Sequence, residues 1–78
     1  MMTLQERRLE LGLTQQALSE KSGVPVPVIR GFEQGVRSVN RAQIDTLVNL
    51  CYALELRISE VLDDETLRTK CKEIEEYE

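Results

Sequence analysis

The sequence predicts an all-α fold: a compact bundle of five short helices, followed by a tail from Asp63 that can form a sixth. Three observations predict it. Apolar residues recur at helical spacing, most cleanly at Ile44, Leu47, Val48, Cys51 and Leu54. The composition is rich in Leu, Glu, Arg and Gln and poor in aromatic residues, which suits helices. Glycines at 12, 23 and 35 stand where helices would end, and Thr14 and Asn40 stand where the next ones would begin.

The first helix runs from Thr3 to Leu11. Leu4 and Leu11 define its buried stripe, with Leu9 at the edge, and Thr3 and Glu6 have capping-box spacing. Gly12 ends it and Leu13 enters the core. Thr14 caps a second helix, Gln15 to Lys21. Gln15 and Gln16 then lie in a first turn whose unpartnered N–H groups can meet an anion. Gly23 supplies a turn that needs positive φ. A third helix, Pro25 to Glu33, carries Pro25 and Pro27 in its first turn, where a missing N–H costs nothing. Val24, Ile29 and Phe32 can meet Ala17 and Leu18. Residues 14–33 thus read as a helix–turn–helix, and the rest of the chain supports it.

The stretch after Glu33 reads as a loop through Gly35, Arg37 and Ser38. Asn40 caps the fourth helix, with Gln43 at the capping-box position. Leu56 and Ile58 lead into a short fifth helix ending at Leu62. Glu55 stands at the end of the fourth helix, where left-handed geometry would cost on the order of 1 kcal/mol. Asp63, Asp64 and Glu65 suit the N-terminus of a helix dipole. Leu67, Cys71, Ile74 and Tyr77 then make a thin apolar stripe that either dimerises or docks on the fifth helix. A frayed acidic terminus is the other reading. The organisation is a domain over 1–62 and a tail over 63–78.

Charge divides along the same line. Seven basic and seven acidic residues cancel over 1–62, and three basic against seven acidic leave the whole net charge of −4 in the tail. From Lys21 to Arg41 there are four basic residues and one acidic, a local +3. No apolar run is long enough to span a bilayer, and the N-terminus lacks a signal-peptide pattern, so a cytoplasmic location without membrane contact is the default. Cys51 lies on an apolar helical face and reads as core, and Cys71 lies in the tail. With no His in the chain the pair lacks zinc-site spacing and reads as two reduced thiols. No phosphate-cradling glycine loop, nucleophile with a base or metal cluster is present, so an enzyme is excluded and no metal or cofactor is implied.

The ordered set Arg8, Gly12-Leu13-Thr14-Gln15, Leu18, Ser22-Gly23-Val24, Ile29 and Phe32-Glu33-Gln34-Gly35 resembles the phage-repressor and Cro type of helix–turn–helix proteins, the XRE family. The resemblance covers about residues 3–62 and implies a lambda-repressor-like bundle, dimeric when it binds double-stranded DNA as a transcriptional regulator. It implies a phosphate contact at Gln15, with Gln16 beside it, and a base-reading face of Pro25, Val26, Pro27, Arg30, Gly31 and Gln34. It also implies a backbone-tracking segment from Arg37 through Asn40 to Arg41, and an ion pair between Arg8 and Glu33.

The reading face departs from the family pattern, since Val26, Pro27 and Gly31 stand where hydrogen-bonding side chains are common. Three readings fit it. One is a DNA binder, repressor-like, that relies on Arg30, thymine-methyl contacts and DNA shape at a palindromic site. Another is a protein-interaction or antitoxin-like module using Val26, Pro27 and Val28, or the tail. In the third, these residues serve only the helix. Gly31 could let the helix sit closer to a base pair or to the backbone.

Overall fold

Thr3 starts the chain's first helix as predicted. Its hydroxyl accepts the Glu6 N–H at 3.1 Å, and the Glu6 carboxylate accepts the Thr3 N–H at 3.3 Å. The structure, a computed structural model, describes residues 3–77. Met1, Met2 and Glu78, at the ends of the expected domain and tail, lie outside the described residues. The elements are α1 (Leu4–Glu10), α2 (Gln15–Ser22), α3 (Val26–Glu33), a single 3-10 turn (Val39–Arg41), α4 (Ile44–Leu54), α5 (Ile58–Val61) and α6 (Glu65–Glu75). No strand occurs among the described residues, so the fold is all-α as predicted.

The helices close around one core. Leu18, Ile29, Leu50 and Leu54 are fully buried, with Leu4, Val24, Val39, Leu47, Cys51, Ala53 and Val61 around them. α2 packs on both α3 and α4, α1 on α3 and α4, and α4 on α5. Burying a large aliphatic side chain contributes about 1.5–3 kcal/mol, so the four fully buried ones hold α2, α3 and α4 together.

Several expectations need correction. Pro25 is the residue before α3, not its first, and Pro27 is the second residue within it. Leu9 is exposed rather than at the edge of a stripe, and the buried Arg8 takes part of the inner face instead. On α4 the buried side is Leu47, Leu50, Cys51, Ala53 and Leu54, whereas Ile44 and Val48 are 67% and 47% exposed. The stripe is rotated because the side of α4 that faces α1, α2 and α5 takes in Leu50 and Ala53 as well. Ile44, Val48 and Tyr52, four residues apart, form the opposite flank.

Asn40 does not cap α4. It lies in the 3-10 turn, and Gln43 occupies the position before α4 without a side-chain cap. The Asn40 side-chain oxygen instead accepts the N–H groups of Asp63 and Asp64, at 2.8 and 3.1 Å. The loop after α3 is thereby tied to the start of α6. Glu55 closes α4 at φ 55 and ψ 47, the left-handed geometry anticipated from its place in the chain.

The tail is a helix. Asp64 caps it by accepting the Leu67 N–H at 2.9 Å. α6 packs on α5 through polar contacts. Glu75 accepts the buried Ser59 hydroxyl at 2.5 Å, and the Arg68 guanidinium donates to the Leu62 carbonyl at 2.7 Å. Of the expected stripe, Leu67, Ile74 and Tyr77 are exposed and Cys71 alone is partly buried.

Candidate nucleic-acid interface

The helix–turn–helix is built by local hydrogen bonds. The Thr14 hydroxyl accepts the Ala17 N–H at 3.0 Å and starts α2. Gly23, at φ 77, ends α2 by donating its N–H to the Ser19 carbonyl at 2.8 Å. The Ser22 hydroxyl accepts the Val24 N–H, which sets the one-residue step into the core before Pro25. The Pro25 carbonyl then receives the Val28 and Ile29 N–H groups and starts α3. Each bond satisfies a group that would be an orphan at a helix end.

A buried ion pair anchors α3 to α1. Arg8 Nε and Nη2 donate to the two oxygens of Glu33 at 2.7 and 2.9 Å, and Arg8 Nη1 donates to the Leu13 carbonyl at 2.8 Å. The two side chains are 9% and 3% exposed. Gln15 Nε2 adds a third donor to Glu33 at 3.0 Å. Burial pushes the Glu33 carboxyl up, but hydrogen bonds from Arg8 and Gln15 and the Arg8 charge outweigh it and hold it below its ordinary value. Hydrogen bonding to Glu33 raises Arg8 against the opposing effect of burial. The pair expected between these residues is therefore present, bidentate and charged.

This arrangement changes the electrostatics of the outer face. The one acidic residue between Lys21 and Arg41 is Glu33, and its charge is met inside the bundle by Arg8. Lys21, Arg30, Arg37 and Arg41 are exposed and face solvent without that compensation. The local charge is therefore more positive than the sequence count suggests.

The other expected site residues divide. Pro25, Pro27, Arg30 and Gln34 are exposed along α3, and Val26 is half-buried. Gln16 is exposed and reaches Glu20 at 3.3 Å, one turn along α2. The Gln15 amide group is engaged with Glu33, so the group that α2 offers outward there is its first-turn backbone N–H. Arg41 is exposed in the 3-10 turn, while Asn40 is occupied with Asp63 and Asp64.

Gly31 is buried, although it lies on the outer side of α3. Arg37 is what covers it. A Cβ at position 31 would lie 2.8 Å from Arg37 Cδ, 2.9 Å from Cγ and 3.0 Å from Nε. The Gly31 carbonyl receives the N–H groups of both Val36 and Arg37, at 2.9 and 3.0 Å, which folds the loop back over the end of α3. Gly31 therefore brings the loop close to α3. The signal in the sequence was a glycine inside a helix, which costs about 1 kcal/mol relative to alanine and implies a close approach by something.

A helix–turn–helix with an uncompensated basic outer face defines a DNA-binding domain. A family model described as helix-turn-helix matches residues 4–61, most of the chain. The protein belongs to that family, the DNA-binding regulators of the XRE and phage-repressor type. No curated protein and no solved structure matches the chain. No helix among the described residues is long and apolar enough to cross a membrane, and no cluster there could hold a metal ion.

Proposed function

We propose that the protein is a transcriptional repressor that binds a short palindromic operator as a homodimer. One α3 enters the major groove of each half-site. The first-turn N–H groups of α2 and the turn around Arg41 lie on phosphates at either side. The observation that carries this reading is the basic outer face, with Arg30, Arg37 and Arg41 exposed while Glu33 is neutralised inside by Arg8. The homodimer is supported by Ile44, Val48 and Tyr52, which are 67%, 47% and 87% exposed on one flank of α4. α4 follows directly from the DNA-facing loop, so a two-fold contact there would set the spacing of two recognition helices.

Selection of bound sequences from a random duplex pool, at several salt concentrations, tests the reading. The expected result is an inverted repeat and a linear fall of log affinity with log salt. Recovery of no enriched sequence, with no salt slope, would refute it. The second reading, a protein-interaction module, loses support on α3, because Val26 and Val28 are half-buried and only Pro27 is fully available there. It keeps the exposed Leu67, Ile74 and Tyr77 of α6. A stable heteromeric complex that is indifferent to Arg41→Ala and lost on Ile74→Asp would favour it.

A further inference from the structure

We propose that Arg37 is a base-reading residue, seated on Gly31 and supplied to the outer face of α3 by the loop, and that it selects a guanine in each half-site. The inference rests on the DNA-binding reading above and names a determinant of its specificity. On a helix of 3.6 residues per turn, positions 27, 30, 31 and 34 share one face. Position 31 is central on it, three residues from Gln34 and four from Pro27. The residue there is glycine, so α3 itself provides no side chain at the centre of its reading face.

The space is filled from the loop. Arg37 Cγ, Cδ and Nε lie 2.8–3.0 Å from where a Cβ of residue 31 would be. The end of the Arg37 chain thus starts where the side chain of residue 31 would have started. Its backbone is held there by the two N–H groups donated to the Gly31 carbonyl. Among the described residues no hydrogen bond or ion pair engages the Arg37 guanidinium. A guanidinium seated on position 31, between Pro27 and Gln34 on the outer face of a helix that enters the major groove, meets base edges before it meets phosphates, which lie at the groove's rim. Its fork matches the O6 and N7 acceptors of guanine. Preorganisation by packing on Gly31 lowers the rotamer entropy that a long exposed side chain would lose on binding.

The arrangement also explains how a donor-poor helix can discriminate. Arg30 and Arg37 would present two forks to the groove, although α3 carries only one of them. Val26 and Pro27 then add methyl and ring contacts beside them.

The test compares wild type, Arg37→Ala, Arg37→Lys and Gly31→Ala. Each is taken through sequence selection and then titrated on the selected site and its single-base variants at several salt concentrations. Circular dichroism and melting confirm that each is folded. Wild type should prefer guanine at one position per half-site by about 5- to 150-fold. Arg37→Ala should abolish that preference and leave the others, and Arg37→Lys should keep only part of it. Gly31→Ala should give the same positional loss, because its Cβ displaces Arg37 while the helix stays intact. The proposal is overturned if Arg37→Ala weakens every sequence by one factor and lowers the salt slope by about one, the signature of a phosphate contact. It is also overturned if the Arg37→Ala and wild-type preferences coincide at every position. A wild type that selects no sequence refutes the DNA-binding reading itself, an outcome distinct from a wild type that selects a site Arg37→Ala also selects.

Discussion

Removing the guanidinium of Arg8 should destabilise the protein by about 3 kcal/mol or more, although the ion pair it belongs to has little net worth. Arg8→Met keeps the stem and deletes four interactions at once, three hydrogen bonds and a charge. Two are the bonds to Glu33, one is the bond to the Leu13 carbonyl, and the fourth is the charge itself. Glu33, whose side chain is 3% exposed, is then left with Gln15 as its remaining donor. An uncompensated buried carboxylate costs about 3–5 kcal/mol, and an unpaired carbonyl adds about 1 kcal/mol or more. A chain of this size has a total stability of roughly 4–12 kcal/mol, so the loss is a large part of the whole. Tm should fall by roughly 12–24 °C. Glu33→Met should cost a similar amount. The double variant should recover to within about 2 kcal/mol of wild type, because no buried charge remains. Urea unfolding at neutral pH, followed by circular dichroism with m-values compared, measures all four corners. Single variants that each cost less than about 1 kcal/mol and add linearly would refute the reasoning. They would mean that the pair behaves like a solvated one.

Glu33 is held below its ordinary value, taken as 4.5, so its contribution to stability is complete above that pH. It declines as pH falls further, because the unfolded chain takes up its proton first. The acid limb of an unfolding series should be shallower in Glu33→Gln, and parallel limbs would contradict this. Glu55→Gly should stabilise the fold by about 1 kcal/mol, since it relieves a left-handed residue at φ 55; a lower Tm would count against it. Truncation after Leu62 should lower Tm, because the bond from the Ser59 hydroxyl to Glu75 is lost, at a cost of about 0.5–1.5 kcal/mol. An unchanged melt would show that α6 adds nothing to the fold. Thiol-disulfide reagents should modify Cys71 first, since burial drives the Cys51 thiol up to about 11 and hides it in the core. Equal labelling rates would contradict the placement of Cys51.

The parts of the fold that were legible in the sequence are those set by local chemistry. Thr3 with Glu6, Thr14, and Gly23 act within three or four residues, and each performs as its spacing implied. Where a distant partner competes, local signals mislead. Asn40 and Gln43 have capping-box spacing, yet Asn40 is taken by backbone groups 23 and 24 residues away. The α4 stripe was misplaced for a related reason. Apolar residues occupy both flanks of that helix, and periodicity cannot say which flank the other helices cover. Ala53 carries little hydrophobic signal for a residue that is almost wholly buried. In the site, Arg8 and Glu33 were paired through family resemblance, and the geometry agrees. The bond from Gln15 to Glu33 is not legible in the sequence because it exists only once α3 is docked. The seating of Arg37 on Gly31 was hidden because a glycine records the absence of a side chain, not the identity of what fills it.

The Asn40 side chain gives the tail a part in events at the loop. One carbonyl oxygen receives both N–H groups at the start of α6, so order on one side of that bond is shared with the other. Linkage requires such coupling to run in both directions with equal strength. DNA held against the residues around Arg41 should slow amide exchange in the first turn of α6. Equally, whatever melts α6 should make the loop costlier to order and weaken DNA binding without touching it. The acidic tail is thereby coupled to the interface by transmitted order as well as by charge.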